Sequence, residues 1–452
     1  MKKKLLPVAV IAAIGLCCLG YTKKQAAKRP NVIIIYTDDQ GYADMNIYGS
    51  KDLVTPNMDG LARSGVRFTN FYSASPICSP SRAALLTGRY PQRAGLPLMG
   101  PSKEGVAGMS GSQYTLGELF KDAGYKTAHI GKWHIGYNKE TEPNAQGFEY
   151  SFGFMGGCID NYSHFFYWEG PNRHDLWRNG TEINEAGKFF PDMMVDEAGK
   201  FMAENKDKPF FMYWAINNPH YPLQGKKKWL DYYKNLPSPR DKYAASISTM
   251  DENIGDLLKK LDALGLRENT IIVFQSDQGF SREDRTFGGG GSAGDYRGSK
   301  FSLFEGGVRV PAIISWQKHI PVNQVRTQVS TNVDWFPTLA AYCNIKMPAR
   351  KVDGQSLVPI INSNDAKTNH PVFNWQSGGP KGNAQWSVLD GDWKLLHSPL
   401  ESQKEELTAE GYFLVNLKED PSEKANVADK HPDIVQRLVA THKAWLGEVF
   451  AQ

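Results

Sequence analysis

Three short apolar runs constrain the fold more than anything else in this sequence. Asn31-Val32-Ile33-Ile34-Ile35-Tyr36, Phe210-Phe211-Met212-Tyr213-Trp214-Ala215-Ile216 and Thr270-Ile271-Ile272-Val273-Phe274 are rich in β-branched and aromatic residues and show no apolar-polar alternation. A strand apolar at nearly every position needs cover on both faces, the situation of a parallel sheet with helices above and below it. Helical spacing occurs over residues 115–123, 191–203 and 240–264. The expected class is therefore α/β: a large, mixed but mostly parallel sheet sandwiched by helices.

Beyond residue 365 the pattern changes. Residues 371–375, 385–389 and 393–396 read as short strands, with Asp390-Gly391-Asp392 as a hairpin turn, and an amphipathic helix closes the chain over residues 432–450. A smaller antiparallel sheet with a helix packed on it is expected. The 452 residues are long for one compact domain, so a main domain over residues 30–365 and an α+β subdomain over 366–452 are expected.

Each of the three runs ends in polar residues: Thr37-Asp38-Asp39, Asn217-Asn218-Pro219-His220 and Gln275-Ser276-Asp277-Gln278. Ligands of open α/β sheets sit outside the carboxyl ends of the strands, which gathers these clusters along one edge. Asp38, Asp39, Asp277 and Gln278 offer only oxygen. Three converging carboxylates repel one another unless a cation lies between them, and such a donor set suits Ca²⁺ or Mg²⁺. Each pair alone also reads as a helix cap; the two together favour the metal.

Other residues carry further chemistry. Ser79 and Pro80 predict an N-cap and a first helical residue, with Arg82 to Thr87 continuing the helix. Cys78 then stands just before a helix N-terminus, where N–H groups, the dipole and Arg82 favour an anion such as a tetrahedral oxyanion. A small buried hydrophobe is the alternative. Lys132 and His134 lie two apart in the strand-like Thr127-Ala128-His129-Ile130-Gly131-Lys132-Trp133-His134, so they are expected on one side, one to hold an anion and one to move a proton. A solvated strand face is the plainer reading. His220 sits in a proline-bounded loop that also suits a locally bonded turn histidine. Lys300 follows Tyr296-Arg297-Gly298-Ser299, within reach of a ligand.

The N-terminus reads as standing outside this fold. Met1-Lys2-Lys3-Lys4 and the apolar stretch from Leu5 to Gly20 form a basic segment and a short hydrophobic segment, so residues 1–22 read as a signal peptide, short for a bilayer span. Export to the periplasm or medium is expected. Cys17 and Cys18 close the apolar stretch, and Ile14-Gly15-Leu16-Cys17 is a poor lipidation motif; membrane attachment follows only if Cys17 or Cys18 is lipidated. Without Lys2, Lys3 and Lys4 the net charge of +4 falls to +1, which leaves no footprint for nucleic acid. Cys78, Cys158 and Cys343 remain, an odd set in which at least one thiol is unpaired or altered.

Cys78-Ser79-Pro80-Ser81-Arg82 followed by Ala83-Ala84-Leu85-Leu86-Thr87-Gly88-Arg89 resembles the signature of the type I sulfatases, of the alkaline phosphatase superfamily. Gly131-Lys132-Trp133-His134, Pro219-His220-Tyr221-Pro222-Leu223, Arg297-Gly298-Ser299-Lys300 through Pro311, Val352-Asp353-Gly354-Gln355-Ser356-Leu357 and Gly391-Asp392-Trp393-Lys394-Leu395 resemble further family blocks. The resemblance spans Asn31 to the C-terminal helix. It implies an alkaline phosphatase-like catalytic domain over 30–365 and an exported sulfuric ester hydrolase. A maturation enzyme would convert Cys78 to formylglycine. One Ca²⁺ per chain would be held by Asp38, Asp39, Asp277, Gln278 and the modified Cys78. Gln278 departs from the commoner asparagine, with a longer arm. Arg82 and Lys132 would orient and neutralise the formylglycine diol and the sulfate, and Lys300 and His220 would contact sulfate oxygens. His220 would donate a proton to the leaving alcohol, and His134 would take one as the sulfated diol collapses.

For the substrate, a stretch rich in Trp, His and Arg supplies Asp160, His164, Arg173, His174 and Trp177, to which Arg285 and the Gly288-Gly289-Gly290-Gly291-Ser292 loop are added. Aromatic faces and polar forks suit sugar rings. A sulfated polysaccharide or glycosaminoglycan fragment is expected, attacked from an end, on galactose or N-acetylgalactosamine units. A phosphonate or phosphodiester hydrolase of the same superfamily, or a sulfoglycan-binding protein with an unconverted Cys78, are the other readings.

Overall fold

A computed structural model of the chain describes residues 29–168, 170–377 and 384–451. The leader read over residues 1–22, with Cys17 and Cys18, lies outside the described residues.

The main sheet has ten strands, in the order Gln324–Arg326, Val66–Phe68, Ala312–Ser315, Thr270–Ser276, Asn31–Asp38, Phe210–Pro219, Lys126–Lys132, Tyr150–Phe154, Trp177–Arg178 and Thr181–Glu182. The five strands from Thr270–Ser276 to Tyr150–Phe154 are mutually parallel. Antiparallel pairings flank them on both sides. The three apolar runs are the adjacent central strands, which explains why they need no polar face.

Alternate residues of these strands enter different cores. Val32, Ile34, Tyr36, Tyr213 and Val273 pack with Leu85, Leu86, Phe120, Trp335 and Leu339 on one face. Ile33, Ile35, Met212, Trp214 and Phe274 pack with Met194, Phe201, Ile247, Ile254 and Leu257 on the other. Helices Cys78–Thr87, Leu116–Asp122 and Trp335–Tyr342 supply the first cover, and Pro56–Arg63, Phe190–Glu204 and Arg240–Ala263 the second. Leu116–Asp122 starts at a capping box, in which the Glu118 amide donates to Thr115 Oγ1 and the Thr115 amide to Glu118 Oε2.

One helix start differs from the expected one. The Cys78–Thr87 helix is capped by Ile77, in extended conformation, rather than by Ser79, and Ser81 N bonds Ile77 O at 3.1 Å. Pro80 is thus the third helical residue. That is allowed because the first-turn amides lack intrahelical acceptors anyway, so a missing N–H costs nothing there. Cys78 belongs to the first turn itself.

The small sheet is an antiparallel meander of Val372–Gln376, Trp386–Asp390, Trp393–His397 and Tyr412–Asn416. The last strand adds one to the three expected. Phe373, Trp375, Leu396, Phe413 and Val415 face Phe304, Val308 and Val333 of the main body. Val388, Leu395 and Leu414 lie under Leu438 of the Pro432–Phe450 helix. Lys394 is on the inward face and fully buried, 2.8 Å from Glu305 and 3.0 Å from Glu423. Burial pushes Glu423 up to about 7 even with Lys394 beside it. Replacing Lys394 by alanine leaves buried Glu423 without its cation and Glu305 with Arg309 alone. The expected cost is about 3–5 kcal/mol, read as a lower urea midpoint.

Candidate active site

The carboxyl ends of the parallel strands bring the candidate residues into one buried cluster. Asp38 is the last residue of its strand and Asp39 follows in left-handed conformation, φ 62°. Lys132 ends the Lys126–Lys132 strand, which lies beyond Phe210–Pro219 from the Asp38 strand, and His134, at φ 57°, lies past its end. Lys132 and His134 therefore do not share a strand face as their spacing predicts, because the chain leaves the sheet between them. A left-handed non-glycine residue just past each strand end marks backbone held against its preference by the surrounding contacts.

Cations tie the cluster together. Lys132 Nζ donates to both oxygens of Asp38, at 2.9 and 2.7 Å. Arg82, with no solvent exposure, reaches Asp277 Oδ2 at 2.8 Å and Asp38 Oδ1 at 3.3 Å. Lys300 Nζ is 2.9 Å from Asp39 Oδ2 and 3.4 Å from His220 Nε2. The carboxylates are thus partnered by three cationic side chains, which already relieves much of the repulsion read from the sequence.

The electrostatics follow from burial and these pairs. Burial works to raise the Asp38 carboxyl, but the charges of Lys132, Arg82 and Lys300 outweigh it and hold the group well below the carboxylate range. Asp39 is pushed up to about 7 by burial, which Lys300 only partly offsets. Asp277 is driven well above its ordinary value by burial and by Asp38, against Arg82. Burial works to lower Lys132 and Lys300, and Asp38 and Asp39 respectively lead the charges that more than restore them. Burial takes His134 and His220 well below the usual imidazole value. Both rings are neutral near pH 7.

Cys78, 1% exposed, places Sγ 3.2 Å from His134 Nδ1. The other ring nitrogen of His134 is 3.4 Å from Ser102 Oγ, which accepts from Gly157 N at 2.9 Å. A Cβ on Gly157 would stand 2.9 Å from His134 Cε1, so only glycine lets that loop close on the imidazole. His220 lies near Tyr221 O, 2.9 Å from Nδ1. Donation from Nδ1–H to that carbonyl leaves the Nε2 lone pair toward Lys300. Cys158 and Cys343 are free and buried like Cys78.

The residues also fit a hard cation. Asp38, Asp39 and His220 each offer a ligand atom, all within 4.8 Å of one another. Gln278 donates through Nε2 to Asp39 Oδ1, and its Oε1 is buried without a hydrogen-bond partner among the described residues. Asp277 Oδ1 accepts from the amides of Asp39 and Gln278, both at 3.0 Å. Clustered carboxylate oxygens with a spare amide oxygen suit a divalent ion.

The candidates for substrate choice scatter more widely. Asp160 accepts from the amides of Tyr162 and Ser163 and from Gln224 Nε2, and buried His164 bonds Lys188 O, so both are taken up by structural contacts. Arg173 lies over the Phe166 ring and lines a cavity of about 660 Å³ with Ser102, Lys103 and Glu104. Trp177 bonds Asp175 and lines a separate cavity of about 310 Å³ with Tyr137 and Met155. His174 pairs with Glu182. Arg285 lies near Lys300, on Glu283 and over the Tyr221 ring. Ser102 and Glu283, which no motif flagged, both touch the cluster.

An arginine and two lysines set among carboxylates, beside a helix N-terminus and two neutral imidazoles, define a hydrolase of esters of tetrahedral oxyanions. Comparison with known proteins narrows the class. The sulfatase family model matches residues 30–345. A second, described as N-sulphoglucosamine sulphohydrolase, C-terminal, matches residues 296–448. The chain belongs to the sulfatase family. N-acetylgalactosamine-6-sulfatase of Rattus norvegicus is 33% identical over 86% of this chain and 74% of its own. Arylsulfatase A of Homo sapiens is 31% identical over 91% and 87%. The crystal structure of Ps i-CgsB in complex with k-i-k-neocarrahexaose superposes with a TM-score of 0.82 at 31% identity, covering 93% of both chains. The protein is thus a sulfatase of the carbohydrate type, in a family that uses formylglycine and a divalent metal. Among the described residues no helix is long and apolar enough to cross a membrane.

Proposed function

We propose that this enzyme removes sulfate from a galactose or N-acetylgalactosamine unit at the end of a sulfated polysaccharide or glycosaminoglycan fragment, using formylglycine made from Cys78 and one Ca²⁺ held by Asp38, Asp39, Asp277, Gln278 and the converted Cys78. The observation that carries the reading is the position of Cys78: the first residue of a buried helix, 3.2 Å from a neutral imidazole and next to the Arg82, Lys132 and Lys300 cations. Formylglycine supplies a hydrated aldehyde, one oxygen of which attacks sulfur while the other lets the aldehyde re-form and sulfate leave.

The chain's own residues supply the rest. Arg82 and Lys132 orient the attacking group and neutralise sulfate oxygens, fixed charges that need no reorganisation during the reaction. His134, neutral and 3.2 Å from Sγ through Nδ1, takes the proton at release. The leaving alcohol receives its proton from the Lys300–His220 pair, in which His220 Nε2 faces the Lys300 ammonium. A calcium ion held by Asp38, Asp39, Asp277 and Gln278 would supply Lewis-acid polarisation of the substrate.

The sugar assignment draws support from a relative named for N-acetylgalactosamine and a similar structure solved with an oligosaccharide. The cavity beside Ser102 and Arg173 offers room next to His134. Export follows from the basic and apolar leader, with a lipid anchor only if Cys17 or Cys18 is acylated.

The test is mass spectrometry of the tryptic peptide spanning residues 68–82, from protein made in its native host, followed by turnover of a panel of monosulfated sugars and oligosaccharides. An aldehyde mass in place of the thiol and sulfate release from terminal galactose or N-acetylgalactosamine sulfate are expected. An unmodified thiol, or faster turnover of phosphate diesters than of sulfate esters, overturns the reading.

A further inference from the structure

We infer that Glu283 is a positioning residue for the proton that the leaving alcohol takes, holding Lys300 directly and His220 through Arg285 and Tyr221. The inference rests on the sulfate-ester reading of this site. Lys300 Nζ has three N–H bonds and three partners: Asp39 Oδ2 at 2.9 Å, Glu283 Oε2 at 3.2 Å and His220 Nε2 at 3.4 Å. Asp39 accepts one of its donors, and the Glu283 carboxylate, as an ion-pair partner, holds the ammonium from a second side, so that the nitrogen stands toward the imidazole. Without Glu283 the ammonium is free to swing onto Asp39 alone, and its alignment with His220 is lost.

The carboxylate is itself held on every side. Ser281 Oγ donates to Oε2 at 2.9 Å, and Arg285 donates to Oε1 through Nε at 2.9 Å and a terminal nitrogen at 2.5 Å. The Glu283 carbonyl accepts from Thr286 N at 2.8 Å, which locks its backbone. Arg285, drawn in by Glu283, lies 4.6 Å over the Tyr221 ring. That ring is 4.1 Å from the His220 ring, and Tyr221 O lies 2.9 Å from His220 Nδ1. One carboxylate therefore fixes both members of the proton-holding pair. Its side chain is only 16% exposed, as suits a support rather than a sugar ligand.

The chemistry at stake is the S–O bond to the alcohol. As it breaks, its electron pair goes to the alcohol oxygen, which takes a proton from the Lys300–His220 pair. A sugar alkoxide needs that proton; a nitrophenolate leaves without it. The loss on removing Glu283 must therefore depend on the leaving group.

The experiment measures kcat and KM of calcium-loaded, matured wild type, Glu283→Ala, Glu283→Gln, Glu283→Asp and Arg285→Ala on 4-nitrophenyl sulfate and on the best sulfated sugar. Expected for Glu283→Ala is a fall in kcat of about 10²-fold on the sugar with less than about threefold on the aryl sulfate. Glu283→Asp should recover part of the loss, and Arg285→Ala should show the same pattern more weakly. Equal losses on the two substrates, a change confined to KM, or no loss overturns the inference. The aryl sulfate rate of each variant reports whether the site still folds. A wild type that turns over neither substrate overturns the sulfate-ester reading itself.

Discussion

Cys78→Ala will bring sulfate-ester turnover to background, a loss of at least about 10⁴-fold, as expected when one member of a catalytic unit is removed. Every neighbouring group acts on what stands at this position. His134 Nδ1 is 3.2 Å from the sulfur, the helix start places the first-turn amides beside it, and Arg82 lies one turn further on. Truncation leaves the cations and bases intact with nothing to activate. The fold should survive, because one buried sulfur is lost from a first-turn position with no large cavity, a cost of about 1 kcal/mol. Cys78→Ser separates nucleophile types: serine keeps one oxygen but lacks the second hydroxyl through which sulfate is released, so steady-state turnover should also vanish. Initial rates on a sulfated sugar, beside urea titrations of each variant, read both effects. An alanine variant within tenfold of wild type would falsify the catalytic role, and a fully active serine variant would exclude formylglycine.

How much of this was legible in the sequence depends on whether a feature is local. The central strands were, because burial on both faces removes polar residues from Ile33, Ile34 and Ile35 regardless of what packs on them. The clustering of Asp38, Asp277 and His220 was, because carboxyl ends of parallel strands share an edge. Pairings were not. Lys132 and Asp38 are 94 positions apart, and nothing in either segment says that an ammonium takes both oxygens of that carboxylate. The start of the Cys78–Thr87 helix was misread because Ser-Pro is a strong local signal, whereas a proline is tolerated anywhere in the first turn. The strand period failed for Lys132 and His134 because it holds only while the chain stays in the sheet. Tyr412–Asn416, as long as the three strands that were legible, follows a long polar connection rather than a tight turn, so no hairpin signal marks it. Glu283 was hidden for another reason: its role lies in one contact with Lys300, and Ser281-Arg282-Glu283-Asp284-Arg285 looks like any solvated charged loop.

Stripping divalent cations will lower turnover by about 10²–10³-fold, the scale of losing one fixed charge at the developing oxyanion, and Ca²⁺ will restore it. The reason lies in what the cations now do. Lys132 spends two donors on Asp38, Arg82 bonds Asp277, and Lys300 bonds Asp39. These are the side chains assigned to the sulfate. A divalent ion among these carboxylates would compete with Lys132 and Arg82 for Asp38 and Asp277 and so would free N–H donors for the substrate, while Lys300 keeps its Asp39 and Glu283 partners. Asp39, raised to about 7, and Asp277, raised well above its ordinary value, are both made costly to ionise by burial and crowding. A cation at their centre removes that cost, so binding should stabilise the fold as well as the reaction. The melting temperature should therefore rise with Ca²⁺ concentration, and Asp39→Ala should abolish that rise. Full turnover after exhaustive chelation, with a melting temperature indifferent to Ca²⁺, would leave the carboxylates with a purely structural part in pairing Arg82, Lys132 and Lys300.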